Sequence, residues 1–184
     1  LDLLGFKSFA AKTRFEFDDG ITAVIGPNGS GKSNVAEAVR WVLGEQSLKQ
    51  LRGRDRTDVI FAGSSKAKRR GAASVTITLT NDTGRLNFDA PEVAISRTLN
   101  RAGESEYLIN GDPVRLFDVQ QLLAAAGLGA RSYAVISQGM VDQYLTASPA
   151  GRRELFDEAT GIRAVQLKLT RATSKLKQAG NHLV

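Results

Sequence analysis

Gly26-Pro27-Asn28-Gly29-Ser30-Gly31-Lys32-Ser33 has the spacing G-x-x-x-x-G-K-[ST], the pattern of a loop that cradles phosphates. A triphosphate is dense negative charge that must be held away from water. Gly26, Gly29 and Gly31 let backbone amides turn inward and approach phosphate oxygens closely. A helix opening near Gly31 aims its unpaired N–H groups and positive dipole end at the anion. Lys32 supplies a flexible point charge for the β- and γ-phosphates, and Ser33 a hydroxyl for Mg²⁺. The residue types therefore predict binding of a nucleoside triphosphate with Mg²⁺.

Such a loop works only between a strand and a helix. The apolar run Ile21-Thr22-Ala23-Val24-Ile25 before it predicts a buried strand, and Asn34 to Leu43 after it predicts a helix. Val35, Ala38, Val39 and Val42 recur at helical spacing, and Gly44 stands where a helix ends. Upstream, Leu1–Phe6 and Arg14–Phe17 predict two short strands joined by a turn. Downstream, Ser47–Arg56 predicts a polar, basic loop and Val59–Ala62 a short apolar run. Ala73–Thr80 and Val93–Leu99 alternate, and Glu106–Ile109 runs into the tight-turn pair Asn110-Gly111, so the middle third predicts an antiparallel meander. Leu116–Ala126 predicts a helix, Tyr133–Ile136 a strand, and Ser148-Pro149 the start of a long helix.

Composition narrows the classes. The 184 residues are 42% hydrophobic and 24% charged, ordinary for one globular domain. No run approaches the ~18 apolar residues that span a bilayer, and no leader pattern opens the chain, so no membrane partner is expected. Cysteine is absent and His182 is the sole histidine. That excludes disulfides, thiolate metal sites and histidine-based triads, and fits a cytoplasmic location. The net charge of +6 suits a polyanionic partner. The start at Leu1 and the end within a helical pattern predict a segment of a larger protein.

Two features predict that the chemistry needs more than these residues. Ile162, Val165, Leu169, Ala172, Leu176, Ala179 and Leu183 are spaced three, four, three, four, three, four, a coiled-coil seam that requires a second helix. The division is accordingly 1–160 for a globular head and 161–184 for the start of an arm. Hydrolysis also needs carboxylates for Mg²⁺ and the attacking water, and no acidic residue ends an apolar strand. Asp58 and Asp157 are poor substitutes, the latter on a helical face.

The combination resembles the N-terminal head segment of the structural maintenance of chromosomes (SMC) family, bacterial members above all. The matching pieces are Gly5-Phe6-Lys7-Ser8-Phe9, Gly26 through Asn34, Arg40–Gln46, Leu51-Arg52-Gly53, Asp58–Gly63, Gly103–Asn110 and Ile136-Ser137-Gln138-Gly139. The resemblance implies an α/β fold: the N-terminal lobe of a P-loop, ABC-type ATPase head, with a β-meander and a helix entering a coiled coil. It implies that a C-terminal half of the same head brings the missing carboxylates, and that two heads sandwich ATP. It implies chromosome condensation and segregation as the process, and DNA, a second head and accessory kleisin-type subunits as partners in the nucleoid-associated cytoplasm. By position, Lys32 and Ser33 hold phosphates and Mg²⁺, Gln138 reaches Mg²⁺ and the attacking water, and Arg52 reaches ATP and supports DNA-stimulated hydrolysis. Pro27, Asn28, Ser30 and Asn34 complete the nucleotide loop, with Lys7, Ser8 and Phe9 near base and sugar. Arg54, Arg56, Lys66, Lys68, Arg69, Arg70 and Arg115 are available for DNA phosphates, although Phe117 stands where relatives often carry a further basic residue.

Two other readings remain. A RecN- or RecF-like DNA-repair head shares the loop and a DNA-linked cycle. A non-catalytic module would use the meander to anchor a coil around a vestigial loop.

Overall fold

The computed structural model describes residues 1–48 and 51–128, together with 136, 146, 148, 153, 162, 165, 166, 169, 170, 172–174 and 176. Its frame is a six-stranded antiparallel sheet in the order β2-β1-β3-β4-β5-β6, formed by β1 (Asp2–Leu4), β2 (Thr13–Arg14), β3 (Ala72–Thr80), β4 (Glu92–Asn100), β5 (Ser105–Ile109) and β6 (Asp112–Val114). β3 and β4 pair along their whole lengths, from Ala72 opposite Asn100 to Thr80 opposite Glu92. Alternation sets this register, because a one-residue slip would turn every buried side chain to the opposite face. On β4, Val93, Ile95, Arg97 and Leu99 are all buried.

The meander forms as its sequence predicts. Asn110, with φ of 50°, and Gly111, with φ of 92°, make the turn between β5 and β6. Asn110 also donates its amide to Ala94 O at 2.8 Å. Alternation does not reveal that β1 joins the far edge of β3, with Leu3 opposite Val75. That pairing is non-local and closes the N-terminus onto the meander.

Helix α1 (Lys32–Val42) packs on β3 and β4, and α2 (Leu116–Ala125) packs on β5. Val35, Ala38, Trp41 and Val42 of α1 join Leu3, Phe6, Val75, Val93, Ile95, Leu99, Val119 and Leu123 in the core. The Phe6 and Trp41 rings stand 5.3 Å apart at 46°. α1 stops at Val42, and Gly44 at φ of 99° provides the left-handed residue beyond its end.

Several expectations are corrected. Ile21–Ile25 forms no strand: residues 21–27 have no regular secondary structure, and Ile21 and Ile25 are 101% and 89% exposed. An apolar β-prone run needs hydrogen-bonding neighbours on a sheet and a face to cover it, and among the described residues the six strands leave it neither. The second N-terminal strand covers only Thr13–Arg14 instead of reaching Phe17, which is 51% exposed. The loop after Ser47 ends in a 3-10 turn, Arg56–Val59. The expected strand Tyr133–Ile136 apart from Ile136 itself, the long helix from Ser148-Pro149 in large part, Asp157, Ala179 and Leu183 lie outside the described residues.

Candidate nucleotide-binding site

The loop 26–31 leads into α1 with Gly31 as its N-cap, at φ of 96°, and Gly29 is at φ of 82°. Both values favour glycine, because a side chain there meets its own backbone. At Gly31 a neighbour also crowds one: a Cβ would come 2.5 Å from Ser8 Oγ, and the serine side chain would have to move. Asn34 Nδ2 donates to the same Ser8 Oγ at 2.9 Å. The Lys7-Ser8-Phe9 segment therefore rests on the junction of loop and helix. Sequence spacing alone does not bring these parts together.

The cradle suits an anion. No side chain caps α1, and its first turn carries no acidic residue. Asn34 N donates to Gly31 O at 2.8 Å, and the N–H groups of Lys32 and Ser33 ahead of it face the cradle side for a ligand. Gly26 through Ser30 are exposed. Lys32 folds back, and its Nζ donates to Gly26 O at 2.7 Å and Pro27 O at 2.8 Å. An ammonium parked on two loop carbonyls stands at the cradle that phosphate oxygens would fill. Ser33 is exposed on the first turn of α1.

Behind the loop lies a charge cluster. Glu37 on α1 accepts from Lys7 Nζ through one carboxylate oxygen and from Arg52 Nε through the other. Lys7 Nζ also donates to Leu51 O. Lys7 and Arg52 both adopt left-handed backbone conformations, with φ of 46° and 48°. Two strands of chain hold these conformations in place. Lys7 N donates to Val59 O at 2.7 Å, and Phe61 N donates to Gly5 O at 2.8 Å. Arg52 is thus brought against α1, one turn beyond Ser33, by contacts distant in sequence.

Asp58 is a capping residue here. It accepts from Arg54 N at 2.7 Å and Asp55 N at 2.9 Å. These backbone donors hold its carboxyl below the ordinary range. Among the described residues no group of three or more acidic, histidine or cysteine side chains could hold a metal. Gln138 lies outside the described residues.

The basic candidates divide. Arg70 Nε donates to Ala10 O at 2.7 Å, and Arg115 pairs with Asp118 at 3.1 Å. Arg54, Arg56, Lys66, Lys68 and Arg69 are exposed and make no ion pair among the described residues.

Sequence reasoning passed over Glu37 and Arg97. Glu37 stands one turn before Trp41, and that spacing is its only signal of burial. Arg97 lies in the alternating run of β4 at a core position. Its guanidinium lies 4.5 Å from the Trp41 ring centre and 4.9 Å from that of Tyr107. It donates to Trp41 O and Glu45 O, each at 2.9 Å. Burial pulls its pKa down to about 10, so it remains a cation at neutral pH.

The RecF/RecN/SMC N terminal domain profile matches residues 1–140. The chain belongs to this family. Among SMC relatives, the chromosome partition protein Smc of Rhodopirellula baltica is 50% identical over 183 residues, covering 100% of this chain and 15% of that protein. The chain therefore spans a small part of such an SMC protein. The Smc head of Pyrococcus furiosus, solved with an extended coiled coil and bound to the C-terminal domain of ScpA, superposes with a TM-score of 0.82 at 36% identity. That match covers 99% of this chain and 46% of the other. A chain solved in work on ATP-driven dimerization and DNA-stimulated activation of SMC ATPases superposes with a TM-score of 0.77 at 34% identity, covering 86% and 96%. The N-terminal lobe of an SMC head is thus the fold of this family member.

Proposed function

We propose that this chain is the nucleotide-binding half of an SMC head that hydrolyses ATP in a DNA-dependent cycle of chromosome condensation and segregation. One observation carries the reading. An anion cradle with Lys32 poised at its rim follows directly on Ile21–Ile25, an apolar run with no strand partner among the described residues. A cradle whose supporting strand is unpaired is half of a site. A C-terminal half of the same head would pair that strand and bring the carboxylates that Asp58, engaged in its turn, does not offer.

In this reading the backbone N–H groups of Gly26, Asn28, Gly29, Ser30 and Gly31 and the Lys32 ammonium hold the phosphates, and Pro27, which has no N–H, shapes the loop. Ser33 and Gln138 would offer oxygen ligands for Mg²⁺, which would supply neutralisation of phosphate charge. Asn34, Lys7 and Ser8 border the nucleotide. Arg52 reaches the phosphates with a planar fork. Arg54, Arg56, Lys66, Lys68 and Arg69 provide sequence-independent contacts to DNA phosphates, while Arg70 and Arg115 contribute what their existing bonds leave free. Residues 1–160 act as the head and 161–184 as the root of the arm. Of that seam, Ile162, Val165, Leu169 and Leu176 are exposed, as a helix awaiting its coil partner would be. A second head and a kleisin-type subunit complete the assembly, and the ScpA domain on the Pyrococcus furiosus head supports the latter. The location is the nucleoid-associated cytoplasm.

The test joins the chain to a C-terminal SMC head segment and measures ATP turnover. Turnover is expected only in the joined head, to rise with DNA, and to disappear in Lys32→Ala. Lys32-dependent turnover by the chain alone would refute the split site.

A further inference from the structure

We propose that Glu37 is a positioning residue for Arg52, holding the guanidinium so that its open edge faces incoming phosphate. The inference rests on the reading of Arg52 as a nucleotide-contacting residue.

Glu37 follows Ser33 by one turn of α1, and residues four apart share a helix face. Its side chain is 7% exposed, yet it carries charge. A buried carboxylate is costly unless paired, and the Lys7 ammonium, 12% exposed, already provides a pair. A second cation is more than neutralisation requires.

The manner of attachment is informative. Arg52 donates through Nε alone. Its terminal amino groups make no bond among the described residues, and its side chain is 59% exposed. Gripping a guanidinium by Nε leaves the planar pair of amino groups for a bidentate acceptor. Lys7 reinforces the arrangement from the backbone side, because its Nζ donates to Leu51 O, the residue before Arg52. Left-handed conformations at both Lys7 and Arg52 persist only where surroundings over-determine them. Glu37 is the group that both cations share. The carboxylate thus ties the two loops to the helix that begins at the phosphate cradle.

The first readout needs no turnover. In the nucleotide-free chain, ¹⁵N-edited NMR should find Arg52 Nε–H exchanging with water at least about tenfold more slowly than Arg54 Nε–H, as a bonded donor does. Glu37→Gln should remove the difference. Because Glu37→Gln strands the buried Lys7 charge, the same comparison is made between Lys7→Met and Lys7→Met/Glu37→Gln, where no such charge remains. Equal exchange of Arg52 with and without Glu37 would overturn the proposal.

The second readout uses the joined head. Glu37→Gln should lower kcat about tenfold with KM for ATP within about threefold, the signature of lost orientation. It should have no further effect in an Arg52→Ala background. Additive losses would mean that Glu37 acts independently of Arg52, and the proposal fails. If Arg52→Ala is impaired while Glu37→Gln turns over at the wild-type rate, only the role of Glu37 is lost. Wild-type rates in Arg52→Ala refute both residues' roles. No turnover by the unmutated joined head refutes the ATPase reading, a result distinct from the others.

Discussion

Arg97 fixes the C-terminal end of the helix that begins at the nucleotide loop. It adds a second donor to Trp41 O, which also accepts from Gly44 N at 3.1 Å, and it ties down Glu45 O just beyond the helix. Its charge opposes the negative pole of the α1 dipole. The Trp41 and Tyr107 rings take up its flat faces. Arg97→Met keeps volume but removes the charge and two charge-assisted bonds at the end of α1. It should cost about 2–4 kcal/mol. A lower urea midpoint with an unchanged slope would record this, and Arg97→Lys should recover only part because it lacks the fork. An unshifted midpoint in Arg97→Met would mean that α1 is anchored elsewhere.

The 3-10 turn Arg56–Val59 is the element that follows Arg52 and carries the chain back to β1. Asp55 accepts from Thr57 N at 2.8 Å, and Asp58 accepts from Arg54 N and Asp55 N. These bonds lower both carboxyl pKa values from 3.8, Asp55 chiefly through Thr57 N–H and Asp58 chiefly through Asp55 N–H. A depressed folded pKa means that the unfolded chain binds the proton more readily, so the contribution is present above pH 3.8 and is lost as pH falls through the folded values. NMR titration should give both midpoints below 3.8, with the amides of Arg54 and Thr57 moving in step with their acceptors. Midpoints at or above 3.8 would sink the capping account. Local signals of this kind were readable in the sequence. Alternation gave away the β3–β4 pair, and glycine after Leu43 marked the end of α1. The Glu37–Lys7–Arg52 cluster was hidden because its members are brought together only by tertiary packing, and Arg97 because a charge in an alternating run reads as a solvent-facing position.

At the scale of the whole molecule, the run Ile21–Ile25 is the place where sequence and structure diverge for a physical reason. Its residues have the composition of a buried strand, and composition reports what a segment needs, not whether its neighbours are supplied. The same holds for Ile162, Val165, Leu169 and Leu176, apolar at coiled-coil spacing and exposed. Both segments point to surfaces contributed from outside the described fold. If a C-terminal head segment supplies the sheet neighbours, the amides of Thr22, Ala23 and Val24 should exchange rapidly in the chain alone. In the joined head they should slow by at least about a hundredfold, as strand hydrogen bonds form. Amides of β3, already paired on both sides by β1 and β4, should change little and serve as the internal reference. Lys32→Ala should leave this protection intact, because pairing of the strand precedes phosphate binding. Rapid exchange at 22–24 in a joined head that turns over ATP would show that the cradle works without a strand beneath it.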